Sequence, residues 1–359
     1  IGQDSTSTLS TLTGLNPPSG SAPFPAMNSG NATITKITTS GVGVNGITLN
    51  SVGAAGSNVV NGLTVGNTGG AGILGNNFGT VTIADVSINE PAASRTGQAL
   101  SLINGAVTAT FGNVSSSSAS PSGTTNVTLS GVTGTINLGT GALTLTAGTG
   151  TSFFVSGSAA NPNTATISYA GTINNSVGRA VSVTNKVSGS ASFSGAITST
   201  SSGIFIDTNI TSTATYNFTG GMSLSTGANN AFTATGTAPA TSGGTVNVTQ
   251  NNTSIVNTLA TTSGTALNVA NTTIGASGLT FRSINAGTGA SSAGSGIILN
   301  NTGSTAGLTV TANPSTGLCG GQVTINALGT LASVTAANTG DCSGGTIQRK
   351  TGGDGTTSG

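Results

Sequence analysis

Histidine and tryptophan are absent from this 359-residue chain, and charged residues make up only 4% of it. Without histidine the chain cannot build a Ser-His-Asp or Cys-His nucleophile system or an imidazole metal site. Without tryptophan it lacks a broad aromatic platform on which sugars could stack. These absences remove several classes of catalyst, and they favour a non-enzymatic protein that needs no cofactor.

The acidic residues are too scattered to suggest a polysaccharide-cleaving site. They are Asp4, Asp85, Glu90, Asp207, Asp341 and Asp354. Such enzymes cluster carboxylates on one face, either for acid–base chemistry or for a cation. Asp85 and Glu90 are the one close pair, and an odd spacing along a strand places two side chains on opposite faces. We therefore expect no catalytic or metal-binding residues.

The small number of charges also limits the possible partners. Seven Lys and Arg residues and six Asp and Glu residues give a formal net charge of +1. Cations spread so thinly cannot form the basic patch that nucleic acids require. The sequence also has no run of about 18 or more apolar residues, so it predicts no transmembrane segment.

What the chain does have is a regular alternation of apolar residues with Gly, Ser, Thr, Asn and Ala. The stretch from Val181 to Met222 aligns with itself when shifted by 23 residues, which places Val181 on Ile204 and Phe193 on Tyr216. Alternation of this kind predicts strands that bury one face. A repeat of this length is too short to enclose a core alone, so it predicts stacked copies.

The predicted fold is all-β: a parallel β-solenoid of about ten or more rungs, each of 23–35 residues. The first inward residues of successive rungs are Ile47, Ile73, Leu100, Val127, Phe153, Val181, Ile204, Phe232, Leu267 and Ile297. A second strand carries aromatic residues that would form an interior ladder, namely Phe193, Tyr216, Phe218 and Phe281. Asparagines at strand ends would hydrogen-bond between rungs, namely Asn50, Asn76, Asn271 and Asn301.

The composition divides the chain into three parts. Residues 1–30 hold four prolines and show little alternation, which predicts an extended N-terminal lead-in or cap. Residues 31–348 form the parallel β-helix, and residues 349–359 form a flexible tail or a truncated continuation. Because strand edges with few charges tend to pair, we expect end-to-end assembly of copies or continuation in a longer chain.

Two cysteines, Cys319 and Cys342, are 23 residues apart, which is close to one repeat. They could meet on adjacent rungs as a disulfide, and an oxidising compartment would follow. The alternative is a pair of buried free thiols.

Outward positions carry several Thr-x-Thr pairs, which could form a flat face. These are Thr108 and Thr110, Thr144 and Thr146, Thr164 and Thr166, Thr213 and Thr215, and Thr309 and Thr311. Such a face would suit an ice- or carbohydrate-binding solenoid. Threonine is also favoured on any exposed strand, and the unequal rungs interrupt the array.

Three segments resemble rungs of large secreted bacterial proteins: Gly46–Asn50, Gly264–Asn271 and Ser295–Asn301. Those proteins are autotransporter passengers and filamentous-haemagglutinin-type adhesins, which have right-handed parallel β-helices. The resemblance implies a right-handed coil. It also implies an extracellular or cell-surface rod that attaches to a host or matrix surface or serves as a structural fibre, with no catalytic residues. The alternatives are the ice- or carbohydrate-binding solenoid and a degenerate polysaccharide-active β-helix.

Overall fold

The structure, a computed structural model, describes residues 16–21, 37–50, 57–90, 98–118, 125–238, 242–252, 254–287, 294–311, 323–325, 331–334, 345 and 347. Every regular element within these residues is a β-strand. The described part of the chain therefore agrees with the all-β prediction. Cys319 and Cys342 lie outside it, as do most of residues 1–30 and all of residues 349–359.

The strands follow one another closely along the chain. The first nine are β1 (Ile47–Asn50), β2 (Ser57–Val65), β3 (Ile73–Glu90), β4 (Leu100–Ser118), β5 (Val127–Asn137), β6 (Ala142–Leu145), β7 (Thr151–Ser156), β8 (Thr166–Tyr169) and β9 (Thr172–Asn175). The next eight are β10 (Arg179–Thr184), β11 (Ser190–Phe193), β12 (Ile197–Ser199), β13 (Ser202–Thr208), β14 (Ser212–Phe218), β15 (Met222–Ser225), β16 (Phe232–Gly236) and β17 (Gly243–Val248). The last eight are β18 (Thr258–Ala260), β19 (Leu267–Ala270), β20 (Thr273–Phe281), β21 (Ser283–Asn285), β22 (Ile297–Asn300), β23 (Leu308–Val310), β24 (Val323–Ile325) and β25 (Leu331–Val334).

The strands form a parallel coil with three faces. The first face stacks β1, the start of β3, β4 and β5, and then β7, β10, β13, β16, β19 and β22. The second stacks β2, the middle of β3 and β4, the end of β5, and then β8, β11, β14, β17, β20 and β23. The third stacks the ends of β2, β3 and β4, and then β6, β9, β12, β15, β18 and β21.

The stacking confirms the predicted parallel β-solenoid, with about nine turns. All ten inward residues predicted for the leading strand are registered partners in one continuous ladder, including Val181 opposite Ile204. At about 4.8 Å for each step, the described coil is roughly 45 Å long. The antiparallel pair β24 and β25 departs from the parallel pattern near the C-terminal end.

The 23-residue alignment is wrong on the second face. There Ala191 pairs with Tyr216 and Phe193 pairs with Phe218, which is a shift of 25 residues. The corner before β14 is two residues longer than the corner before β11, and an even insertion leaves the alternation intact. The Ala-Ser-Phe segment that begins at Ala191 therefore lies directly against the Tyr-Asn-Phe segment that begins at Tyr216.

Apolar side chains fill the interior of the coil, and a row of contacting aromatic rings runs through them. Phe193 and Phe218 stack with centroids 5.2 Å apart and an interplanar angle of 8°. Phe153 and Phe232 of the first face pack edge-on against this stack at 5.0 Å and 5.6 Å. Phe232 continues the chain to Phe281 at 6.1 Å. The predicted ladder thus exists through Phe193, Phe218 and Phe281, but it alternates between two faces and the described ring contacts do not include Tyr216.

The corner after the first face is built by residues with left-handed backbone. Asn77, Asn104, Gly131, Asn185, Asn271 and Asn301 each lie four residues after the inward residue of their level, with φ between 48° and 58°. Asparagine and glycine accept this conformation readily. The side-chain amide of Asn104 donates to Asn77 at 3.1 Å, and that of Asn301 donates to Asn271 at 3.1 Å. The amide contact therefore occurs at Asn77, one residue beyond the predicted Asn76.

The corner between the second and third faces depends on stacked glycines. A Cβ atom on Gly171 would meet the carbonyl oxygen of Gly141, one on Gly195 that of Gly171, and one on Gly220 that of Gly195. Each obstacle is a backbone atom, which cannot rotate away as a side chain can. Consecutive turns can therefore approach closely here only because no side chain intervenes.

We predict that Gly195→Ala lowers the free energy of unfolding by about 2–3 kcal/mol, because the added methyl group must push two backbone turns apart. Equilibrium unfolding in urea measures the change. The matched control is Ser194→Ala at the neighbouring exposed position, which should change stability by less than about 0.5 kcal/mol. Equal effects at the two positions would contradict the close-approach explanation.

Candidate functional surfaces

One column of threonines follows the outside of the second face. In this threonine column, Thr82, Thr108, Thr135 and Thr166 are registered partners on four successive levels. Thr215, Thr245 and Thr273 are registered partners on three later levels, and Ser190 pairs with Thr215 between the two groups. Hydroxyl and methyl groups therefore recur about every 4.8 Å along the rod.

The threonine column keeps its hydroxyl groups available to solvent. None of its seven threonine hydroxyls makes a hydrogen bond within the described part of the chain. Thr108, Thr135 and Thr166 are exposed, and the other four are half-buried. The column can thus offer a row of donors and acceptors to water or to a ligand.

The next outward column is occupied by its own contacts. The amide of Asn217 donates to the Ser192 hydroxyl at 3.1 Å, and the amide of Asn247 donates to Asn217 at 3.0 Å. The backbone N–H of Ser277 then donates to Asn247 at 3.2 Å. The second face therefore carries one threonine column beside an amide ladder, and the paired array suggested by the Thr-x-Thr spacing is incomplete.

The structure distributes the ten predicted threonines over several positions. Thr108, Thr166 and Thr215 lie in the threonine column, and Thr110 lies in the adjacent one. Thr164 and Thr213 come two residues earlier, and the Thr213 hydroxyl donates to the Val187 carbonyl at 3.5 Å. Thr144 lies on the third face opposite Ser117 and Asn174, and Thr146 follows the same strand, β6. Thr309 pairs with Thr280 beyond an irregularity in β20, and Thr311 follows it.

Sequence reasoning missed Thr82, Thr135, Thr245 and Thr273 as members of the threonine column. Thr82 and Thr135 each follow another threonine by two residues, whereas Thr245 and Thr273 do not, so local spacing does not identify the four as one group. Only the strand register, which depends on corner lengths, places them in one row.

The carboxylates hold local structure and lie apart from one another. Glu90 is buried, and its carboxylate accepts hydrogen bonds from the Thr68 N–H at 2.9 Å and the Thr68 hydroxyl at 2.8 Å. Asp85 is exposed at a corner with φ of 53°. The Thr235 hydroxyl donates to Asp207 at 2.5 Å. Within the described residues, no group of three or more His, Cys, Asp or Glu side chains is placed to hold a metal ion.

Lys186 is the most unusual polar residue because its side chain is completely buried. Its ammonium donates to the Asn163 side-chain oxygen at 3.1 Å and to the Ala165 carbonyl at 2.5 Å. Asn163 in turn donates to the carbonyls of Leu129 and Ser156 at 3.0 and 3.1 Å. Burial lowers the pKa of Lys186 from 10.5 to about 8, because its partners are neutral oxygens that only partly replace water. Lys186 and Asn163 together link three consecutive turns by hydrogen bonds at one corner.

Comparison of the chain with protein-family models, with curated proteins and with solved structures finds no match. The class of protein therefore rests on the fold, which defines a parallel β-solenoid rod. The resemblance to autotransporter passengers and haemagglutinin-type adhesins is supported only at the level of a parallel coil. No helix in the described ranges is long and apolar enough to cross a membrane.

Proposed function

We propose that the protein is a non-enzymatic extracellular structural protein, a β-helical rod that serves as the stalk of a cell-surface adhesin or as a fibre subunit. The observation that carries the proposal is the continuous filling of the coil. Inward residues from Ile73 to Phe281 are buried on all three faces, and aromatic rings bridge the faces. A coil closed by hydrogen bonds on three sides and packed inside resists bending, which is the property that a stalk or fibre needs.

The placement of the acidic residues supports the non-enzymatic part of the proposal. The Glu90 carboxylate is used by Thr68, and Asp207 is bound by Thr235. Groups committed in this way to neighbouring turns serve the coil itself. Incubation with pectin, alginate or glucan should release no product, and cleavage that is lost on Glu90→Ala or Asp207→Ala would overturn this part of the proposal.

The proposed location and shape can be tested together. Antibodies raised against the chain should label intact cells of the source organism as strongly as permeabilised cells. Electron microscopy of the purified chain should show straight particles with a solenoid segment roughly 45 Å long. Labelling that requires permeabilisation would contradict the extracellular location. Bent or globular particles would contradict the role as a rigid rod.

The threonine column supports a second candidate function, which is binding of ice or of a carbohydrate through regularly spaced hydroxyls. Thr135→Tyr should then abolish thermal hysteresis or glycan binding, because its bulk breaks the row at an exposed position. Thr198→Tyr on the third face is the matched control and should leave binding unchanged. If neither thermal hysteresis nor glycan binding is measurable in the unaltered chain, the second candidate function is rejected and only the structural role as a rod stands.

A further inference from the structure

The two ends of the described coil expose residues that every interior turn buries. At the C-terminal end, Leu299 is 43% exposed and Val310 is 39% exposed, although both are in register with fully buried residues of the preceding turn. At the N-terminal end, Ile47 and Leu49 are only half-buried. Each end is thus a cross-section of the core with a strand edge around it.

The first and last strands of the first face have almost the same sequence. β1 reads Ile-Thr-Leu-Asn after Gly46, and β22 reads Ile-Ile-Leu-Asn after Gly296. In both strands isoleucine and leucine point inward and asparagine ends the strand. The two ends therefore present matching cross-sections. β1 is the first strand of the parallel ladder of the first face, and β22 is the last.

We propose that a second copy of this chain stacks head to tail on the first, so that its β1 pairs in parallel with β22. Ile297 would lie opposite Ile47, and Leu299 would lie opposite Leu49, which continues the ladder by one step. The inference rests on the rod function proposed above, and it names the partner and the strands that join. Such a contact joins two different surfaces, so it can extend into a filament.

The backbone pattern of the rod supports this register. Inside the coil the N–H of Ile47 donates to the carbonyl of Gly72, and the N–H of Leu267 donates to that of Gly296. Each inward residue therefore donates to the glycine or equivalent residue that precedes the next strand. By the same pattern, the Ile297 N–H would donate to the Gly46 carbonyl of the second copy.

The described residues at each end lack the charged residues and prolines that normally prevent strand edges from pairing. Residues 37–50 and 57–65 at one end contain no charged residue and no proline, and residues 294–311 at the other contain none either. Proteins usually protect exposed edges with lysine, proline or a covering element. Unprotected edges with matching sequences favour a second copy of the same chain as the occupant.

One contact at each end must rearrange when two copies join. Ile37 forms an isolated bridge with Val65 and so lies on the level that precedes β2. Ile347 forms an isolated bridge with Ala286 and so lies on the level that follows β21. In the joint these two isoleucines would occupy the same level of the third face. Each joins the described coil through an isolated bridge, so one can leave while β22 and β23 of one copy and β1 and β2 of the other stay in place. When the copies join, Ile37 of one copy and Ile347 of the other thus compete for one position on the third face, and one of them replaces the other.

The test uses two variants that each block one end. Leu299→Lys places an ammonium in the C-terminal cross-section, where the side chain is already 43% exposed in one copy. Thr48→Pro removes the Thr48 N–H. The Ile47 N–H donates to Gly72 of the next level, and successive N–H groups of a strand point in opposite directions, so the Thr48 N–H faces the edge of β1 that the second copy would approach. Each variant alone should remain monomeric in sedimentation, with association weakened about 100-fold or more. An equimolar mixture should form dimers and nothing larger.

The control is Asn174→Lys, which adds the same charge at an exposed site of the third face far from both ends and should assemble like the unaltered chain. Circular dichroism checks that every variant is folded, and Leu49→Lys replaces Thr48→Pro if the latter is not. A variant that dimerises alone, or a mixture that stays monomeric, overturns the head-to-tail joint. An unaltered chain that is monomeric at all concentrations but appears straight in the microscope overturns the joint and leaves the rod function standing.

Discussion

Replacing Phe218 with alanine is expected to lower the free energy of unfolding by about 3–5 kcal/mol. Phe218 is 2% exposed and contacts the rings of Phe193 and Phe232 at centroid distances of 5.2 and 5.6 Å. The stacked turns are fixed by backbone hydrogen bonds and cannot collapse into the space that the ring leaves. Urea unfolding followed by circular dichroism measures the loss.

Phe205→Ala is the matched control for Phe218→Ala. Phe205 lies on the outside of the same region, half-buried, with the guanidinium carbon of Arg179 4.7 Å from its ring centroid. Removal of this ring loses a partly exposed cation–π contact and opens no interior cavity, so the expected loss is about 1 kcal/mol. Equal losses for the two variants would show that the interior aromatic chain does not dominate the stability of the coil.

Lys186 is buried and should therefore contribute a rise of roughly 3 kcal/mol to the free energy of unfolding as the pH increases from about 8 to 10.5. Its pKa is lowered to about 8 in the folded protein, against 10.5 for an ordinary lysine. Between these values the unfolded chain binds a proton that the folded chain does not. The Lys186 contribution to stability therefore increases with pH in this window, and the cost of burying the charge is fully present below it.

Lys186→Met isolates this effect because it keeps the length of the side chain and removes the titrating group. Burial raises the pKa of Tyr169 and Tyr216, and their ionisation in the unfolded chain lowers stability above about pH 10 in both proteins. The difference between the two proteins at each pH cancels that contribution. A constant difference from pH 7 to 10.5 would contradict the buried lysine.

The sequence predicted the first face to the residue, and the reason is its regularity. Each leading strand has one or two inward branched or aromatic residues preceded by glycine, alanine, serine or asparagine, so Val181 and Ile204 could be matched directly. The second face was harder because an insertion of two residues keeps the same alternation. The pairing of Phe193 with Phe218 in place of Tyr216 depends on the corner length, which alternation does not report.

The surface features were predictable only in part for the same reason. Thr108 and Thr110 were identified from local spacing, whereas Thr82 and Thr135 belong to the threonine column only through the register of distant strands. Lys186 gave no signal in the sequence, since an isolated lysine usually lies in solvent. Its burial follows from Asn163, which reaches the same corner one turn earlier.

The parallel ladders also determine how such a rod can fold. Each level pairs only with the levels directly before and after it, so every new level closes a loop of similar size and adds a similar interface. The aromatic chain from Phe153 to Phe281 adds ring-to-ring contacts between consecutive levels in that part of the coil. A nucleus is therefore expected among these levels, with structure extending from it toward both ends one level at a time, and with the ends the first to fray.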